Sequence, residues 1–229
     1  LFRLAKRGEL AKPDVLAAQV RRMVADPRSS ALVENFAGQW LQIRNLAGVT
    51  PDPVKFPTFD DGLRAAMKRE TELFFEAVMK EDRSVVELID ADFTYLNERL
   101  AGHYGIDGVS GSAFQRVSLA KGSGRGGILT HASILTITSN PTRTSPVNRG
   151  KWILEQILGT PPPPPPPDVD ELEENEEAIT SGSLRERLEK HRAKAECATC
   201  HSKMDPLGFA LENFDGIGAW RDLDGNFPI

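Results

Sequence analysis

Seven consecutive prolines, Pro161 to Pro167, constrain this 229-residue chain more firmly than any other feature. A proline run has no backbone N–H to donate and holds φ near about −65°, so it enters neither a helix interior nor a central strand. It is expected as a polyproline II rod of roughly 3.1 Å per residue. The ten positions that follow carry seven acids: Asp168, Asp170, Glu171, Glu173, Glu174, Glu176 and Glu177. With no basic residue flanking the prolines, the two stretches together read as a linker rather than as a ligand for a proline-recognising domain.

On either side of the linker the local signals are helical. Pro13 suits a first helical turn, and Leu16, Val20, Met23 and Val24 follow at helical spacing. Ser30 can cap a second helix with the apolar stripe Leu32, Phe36, Trp40 and Ile43. After a loop from Pro51 to Pro57, Asp60 opens the longest periodic stretch. Leu63, Met67, Phe74, Phe75 and Val78 form its apolar face, and Arg64, Lys68, Arg69 and Glu72 its solvated side. Ser84-Val-Val-Glu87 matches a capping box for a short helix ending near Asp90, and Asn97 can cap another running to Tyr104. Glycines then interrupt the pattern from Gly105 to Gly127, where only Phe114-Gln-Arg-Val117 resembles a strand. Ile128, Leu129, Ala132 and Leu135 fit a helix. Ser145-Pro146 supplies a cap and first-turn proline for Val147 to Leu158, closed by Gly159. Beyond the linker a second capping box, Ser183-Leu-Arg-Glu186, begins a helix that runs to the cysteines.

The expected fold class is therefore mainly α: a helical bundle with a loop-rich insertion, a polyproline linker and a C-terminal cysteine-bearing segment. The expected division is a helical domain at 1–104 and a second domain at 105–229. Within the latter, 105–127 is loop-rich, 161–182 is the linker and 183–229 carries the cysteines. A hydrophobic fraction of 40% with 27% charged residues excludes wholesale disorder and a membrane-embedded bundle. With 28 basic against 33 acidic residues the net charge is −5, so nucleic acid is not an expected partner. No stretch reads as a transmembrane segment. A first residue Leu1 and a last residue Ile229 without terminal character read as a piece of a longer protein.

Both cysteines fall in one pentapeptide, Cys197-Ala198-Thr199-Cys200-His201. Two thiols three positions apart on a turn entering a helix can reach the two vinyl groups along one haem edge, and the adjacent imidazole falls under the iron. This is the attachment pattern of a c-type haem, with His201 as proximal ligand and Cys197 and Cys200 as thioethers. A redox dithiol, a structural disulfide and half of a zinc site are the alternatives. The first lacks its usual βαβ context, and the last lacks a second cysteine pair. Covalent haem attachment takes place outside the cytoplasmic membrane, so haem c as cofactor implies a periplasmic or otherwise exported protein. The absence of any other cysteine suits an oxidising compartment.

The sixth iron position is open at this stage. Met204, three residues after His201, stays on the proximal side and reads as packing. Candidates upstream are His103, His131, His191, Met23, Met67 and Met79. Of these His131, sharing a helical face with Ile128 and Leu135, is the inward-pointing one, either a hydrogen-bonded core residue or a second metal ligand. Arg143 and Arg149 can pair with the haem carboxylates or serve as solvated arginines at a helix start. Asp222-Leu-Asp224-Gly-Asn226 has calcium-loop character without the closing glutamate, and reads as a turn.

Longer stretches carry a resemblance. They are Asn35-Phe-Ala-Gly-Gln-Trp-Leu41, Arg125-Gly-Gly-Ile-Leu-Thr-His131, Thr138 through Glu155 with its Pro-Val-Asn-Arg-Gly-Lys-Trp core, and Leu158-Gly-Thr-Pro-Pro. To these the C-terminal part adds Cys197 through Asp215 and Gly218-Ala-Trp-Arg221. They resemble the large exported proteins of planctomycetes and related bacteria that carry a planctomycete-type cytochrome c module beside domains of unknown function. The resemblance implies a helical domain followed by the haem-motif domain, and carries no settled biochemical role. The expected function is an exported c-type cytochrome segment that transfers electrons to a redox partner or to other domains of the same chain. A peroxidase-like or oxidase-like haem enzyme with an open distal site, and a scaffold module without haem, are the competing classes.

Overall fold

A computed structural model describes residues 1–163, 183–191 and 195–229. The prolines from Pro164 onward and the acidic stretch after them lie outside the described residues. Helices α1 (Phe2–Lys6) and α2 (Pro13–Val24) come first, and Pro13 does take a first-turn position. No residue of α2 is buried, and Leu16, Val20 and Met23 are half exposed. The apolar residues at helical spacing on this helix are thus only partly covered.

Helix α3 (Ser30–Leu32) runs through a π turn at Val33–Ala37 into α4 (Gly38–Trp40). The extra residue in that turn rotates the inward face, so Val33, Ala37 and Leu41 are buried while Leu32 and Phe36 are half exposed. Phe36 instead stacks at the edge with Trp40 and Phe75, ring centres 5.7 and 6.2 Å away. The Asp60 carboxylate accepts from the Leu63 N–H at 2.7 Å and starts α5 (Asp61–Lys80), the central helix. Its inward face, one residue per turn, is Leu63, Met67, Glu70 and Phe74. A glutamate and, beside it, Thr71 thus sit on the stripe that the core covers.

Strand β1 (Phe93–Leu96) pairs antiparallel with β2 (Gln115–Ser118), in the register Phe93 opposite Ser118 and Leu96 opposite Gln115. β2 fits the sequence expectation, whereas β1, squeezed between two helix signals, does not stand out in the sequence. Between them Asn97 caps α6 (Glu98–Tyr104) through a 3.0 Å bond from Leu100 N–H. The helix expected from Ile128 is two pieces. A 3-10 turn at Ile128–Thr130 stops at His131, which is extended (φ −68°, ψ 134°), and α7 (Ala132–Ile137) begins after it. Upstream of the turn, Gly127, at φ 63°, is pressed so closely on the Ile89 carbonyl that no Cβ fits. Thr130 Oγ1 then locks the tight turn by accepting from Gly126 N–H and donating to the Gly127 carbonyl.

Ser145 caps α8 (Pro146–Trp152), which passes through a second π turn, Ile153–Ile157, toward Gly159 at φ 61°. Trp40 Nε1 donates to the Gln156 carbonyl in that turn at 2.7 Å. Helices α9 (Leu184–His191) and α10 (Ala195–Phe209) follow, and the short hairpin β3 (Leu223–Asp224) and β4 (Phe227–Pro228) turns at Gly225. The Ser183–Glu186 capping box is complete in both directions. Among the described residues the fold is mainly α, with two small antiparallel sheets. Two cores lie side by side. Leu41, Phe74, Phe93, Ile134 and Trp152 belong to one, and Leu46, Met67, Leu100, Ala132 and Ile217 to the other, so each draws on both sides of residue 104. Among the described residues no helix is long and apolar enough to cross a membrane.

Candidate functional site

The cysteine pentapeptide lies in the first half of α10, which places Cys197 one helical turn before Cys200 and His201. Cys200 is a half-buried free thiol, and His201 is also half-buried. Four residues on, Asp205 is fully buried and its Oδ1 lies 2.9 Å from His201 Nδ1. A carboxylate oxygen only accepts, so Nδ1 carries the proton and Nε2 is the nitrogen with a lone pair for a metal. The i, i+4 spacing that makes this pair possible comes from the helix itself.

What holds α10 in place is its crossing with α8. A Cβ on Gly150 would run into the Met204 carbonyl, and one on Gly208 into the Pro146 carbonyl. Two glycines, one from each helix, let the backbones touch at both ends of the crossing. Met204 is buried in this contact, as expected of a packing residue.

Arg149 of α8 secures the same junction from inside. It is 1% exposed; its Nη1 donates to the carbonyls of Leu211 and Phe214 at 2.7 and 2.8 Å, and its Nη2 to that of Asp215 at 2.7 Å and to Ser139 Oγ at 3.2 Å. Glu212 Oε1 lies 3.4 Å from Nη1, and Glu212 Oε2 accepts from Thr144 Oγ1 and Arg221 Nη2 at 2.8 and 3.0 Å. Burial pushes the Arg149 guanidinium down to about 10 and the Glu212 carboxyl up from its ordinary value. The guanidinium therefore binds the chain after α10 rather than facing outward. Arg143 is placed differently: half-buried, it donates to the Thr144 carbonyl and lines a cleft of about 620 Å³ with Lys55, Phe56, Arg187 and Arg221.

His131 points inward, at 3% exposure, into a second polar cluster. Its Nδ1 is 3.0 Å from Thr71 Oγ1, which also bonds Ser133 Oγ at 2.7 Å, and Phe74 meets its ring edge-on at 5.0 Å. Nε2 is 3.9 Å from Glu70 Oε1, beyond hydrogen-bond distance. Glu70, fully buried, accepts from Thr94 Oγ1 at 2.7 Å and from Tyr104 Oη at 2.5 Å. Burial raises its carboxyl to about 7 and, with the Arg125 charge adding to it, lowers the His131 imidazole to about 3. The cavity beside them measures about 10 Å³, water-sized and far too small for a porphyrin. His131 and His201 thus each have a carboxylate nearby, Glu70 near the first and Asp205 at the second. Of the other candidates, His103 Nε2 donates to the Ile217 carbonyl at 2.8 Å, Met67 is core and Met23 is exposed. The side chains of Cys197 and His191 lie outside the described residues. Among the described residues no three His, Cys, Asp or Glu side chains converge as a metal cage would.

Comparison with protein families divides the chain in two. Residues 1–106 match PSD4, a protein of unknown function (DUF1592), and residues 125–224 match PSCyt3, a protein of unknown function (DUF1588). In these two stretches the chain is similar to planctomycete-type, cytochrome c-associated domains of unknown function. Neither the curated proteins nor the solved structures yield a match.

In these terms the cysteine helix, its Asp205 and the Arg149 junction all belong to the PSCyt3 part, whereas the Glu70–His131 cluster is shared. Glu70, Thr71, Thr94 and Tyr104 come from PSD4; Arg125, His131 and Ser133 come from PSCyt3. Arg125 ties the two, stacking 3.5 Å over the Tyr104 ring while donating to the carbonyls of Thr130 and Gly218. Two of these residues escaped the sequence reading although a signal existed. Glu70 falls between Met67 and Phe74 on the apolar stripe, and Asp205 is the acid one helical turn beyond His201.

Proposed function

We propose that the PSCyt3 part is an exported c-type cytochrome segment that binds one haem covalently and transfers electrons. The observation that carries the reading is the presentation of His201: an imidazole with Nδ1 anchored on a buried carboxylate, on the helix that bears both cysteines, backed by the close crossing at Gly150 and Gly208. The donor set fits the group. Cys197 and Cys200 would each add a thiol across a vinyl group, the sulfur bonding to one carbon and the proton going to the other, and His201 would offer Nε2 to the iron. Haem so held supplies a one-electron ferric/ferrous couple. Asp205 keeps the imidazole in the tautomer that coordinates. Arg143, at the open cleft, has the access that a haem carboxylate would need, whereas Arg149 is enclosed and assigned to the α8–α10 junction. His131 is assigned to the buried cluster rather than to the sixth iron position, on the strength of its Thr71 bond and the size of the cavity beside it. Thioether formation outside the cytoplasmic membrane places the working protein in the periplasm or another exported location.

The test is a denaturing gel stained for haem peroxidase activity, run on chain matured in a host with haem-attachment machinery. The wild type stains at the chain's position, and the variant with Cys197→Ala and Cys200→Ala does not. A wild type that fails to stain while remaining folded removes the reading.

A further inference from the structure

The partner chosen for His201 says more than which nitrogen coordinates. Asp205 has no exposed surface, and it lies on the same helix as His201, so the two side chains are aligned by backbone geometry rather than by a mobile loop. The helix in turn packs backbone to backbone on α8 at Gly150 and Gly208, where no Cβ would fit. A fixed carboxylate 2.9 Å from Nδ1 draws that proton toward itself and makes the imidazole a stronger electron donor at Nε2. A backbone carbonyl in the same place would do so less, since it carries no net charge. Burial sharpens the effect, because the field of a charge falls off far less in a low-dielectric interior than in water.

We infer that Asp205 is a positioning residue that lowers the reduction potential of the haem held by His201. The inference rests on the cytochrome reading above and deepens it: stronger donation at Nε2 favours ferric over ferrous iron, so the site is built to give electrons away at low potential rather than to collect them at high potential. It involves no titration of either residue, only the presence of the carboxylate and its distance.

The experiment compares midpoint potentials of the haem-loaded full-length chain in three forms: wild type, Asp205→Asn and Asp205→Glu. Asparagine preserves the size and an acceptor oxygen but removes the charge. It should shift the ferric/ferrous equilibrium at least tenfold toward ferrous, a rise of about 59 mV or more for a one-electron couple. Glutamate keeps the charge, and its potential should fall between the other two. A change under threefold in the asparagine variant, or equal shifts in both variants, overturns the inference while leaving the cytochrome reading intact. A folded wild type without haem overturns both. Should the asparagine variant fail to fold, nitrogen-15 NMR of His201 in the wild-type chain before haem loading decides. An Nδ1–H tautomer supports the inference, and an Nε2–H tautomer, the form free imidazole favours in water, contradicts it.

Discussion

Glu70 makes the stability of this chain depend on pH. Its carboxyl is raised to about 7 from 4.5 by burial, so between those values the unfolded chain has already released a proton that the folded chain keeps. Stability from this group is therefore full below about pH 4.5 and falls as pH rises toward 7, by about 3 kcal/mol. His131 acts in the opposite sense. Its imidazole is lowered from 6.5 to about 3, the unfolded chain takes up a proton that the folded one refuses, and stability falls as pH drops through that range. Where the windows overlap, between about pH 4.5 and 6.5, the two slopes oppose each other. Glu70→Gln keeps an acceptor oxygen for Thr94, gives up the one that Tyr104 uses, and removes the alkaline loss. In urea titrations at pH 5 and pH 8 the variant should gain on the wild type by up to about 3 kcal/mol at the higher pH; the same pH dependence in both proteins contradicts the assignment. Glu70 was legible from its place on a 3.6-residue stripe, but its partners Thr94 and Tyr104 were not. Contacts 24 and 34 residues apart in sequence leave no local pattern.

Among the elements, the α8–α10 crossing decides whether the cysteine helix is held at all. Ala at Gly150 or at Gly208 puts a methyl group into a backbone carbonyl that cannot rotate away, so the helices must part. Each substitution should cost about 1–3 kcal/mol or more, read as a drop in thermal or urea midpoint, with Gly102→Ala as the control because nothing lies near its Cβ. Equal midpoints for all three would contradict the crossing. Helix starts were the most legible elements: Asp60, Asn97, Ser145 and Ser183 each make the capping bond that their residue types announce. Ser84 also accepts from Val86 N–H, but the turn it opens, Val85–Leu88, is 3-10 rather than α. The π turns at Val33–Ala37 and Ile153–Ile157 had no such mark, since they are set by packing and shift the inward face by one residue. The glycines at the crossing were visible as letters only. Their meaning depends on a neighbour about 50 residues away in sequence, as for Gly150 and Met204.

Across the whole molecule, the PSD4 and PSCyt3 parts share both hydrophobic cores and the Glu70–Arg125–His131 cluster. Such interpenetration predicts one cooperative unfolding transition, with circular dichroism and tryptophan fluorescence tracing the same urea curve. Two separated transitions would mean that the parts are stable independently. Mainly helical architecture and the place of the cysteine helix could be read from the chain, whereas the sharing of cores could not, because composition does not say which stripe meets which. A common core also gives the cytochrome reading its structural sense: PSD4 supplies α5, against which α7 of the PSCyt3 part packs, and α10 is held on α8 by its glycines. Covalent haem at Cys197 and Cys200, with His201 beside them, is what the proposed function depends on. The most direct measurement is the mass of the proteolytic peptide containing residues 195–209 from chain matured with haem-attachment machinery. That peptide is expected at its own mass plus one haem, stable to denaturant and acid extraction; a peptide at its unmodified mass contradicts covalent attachment.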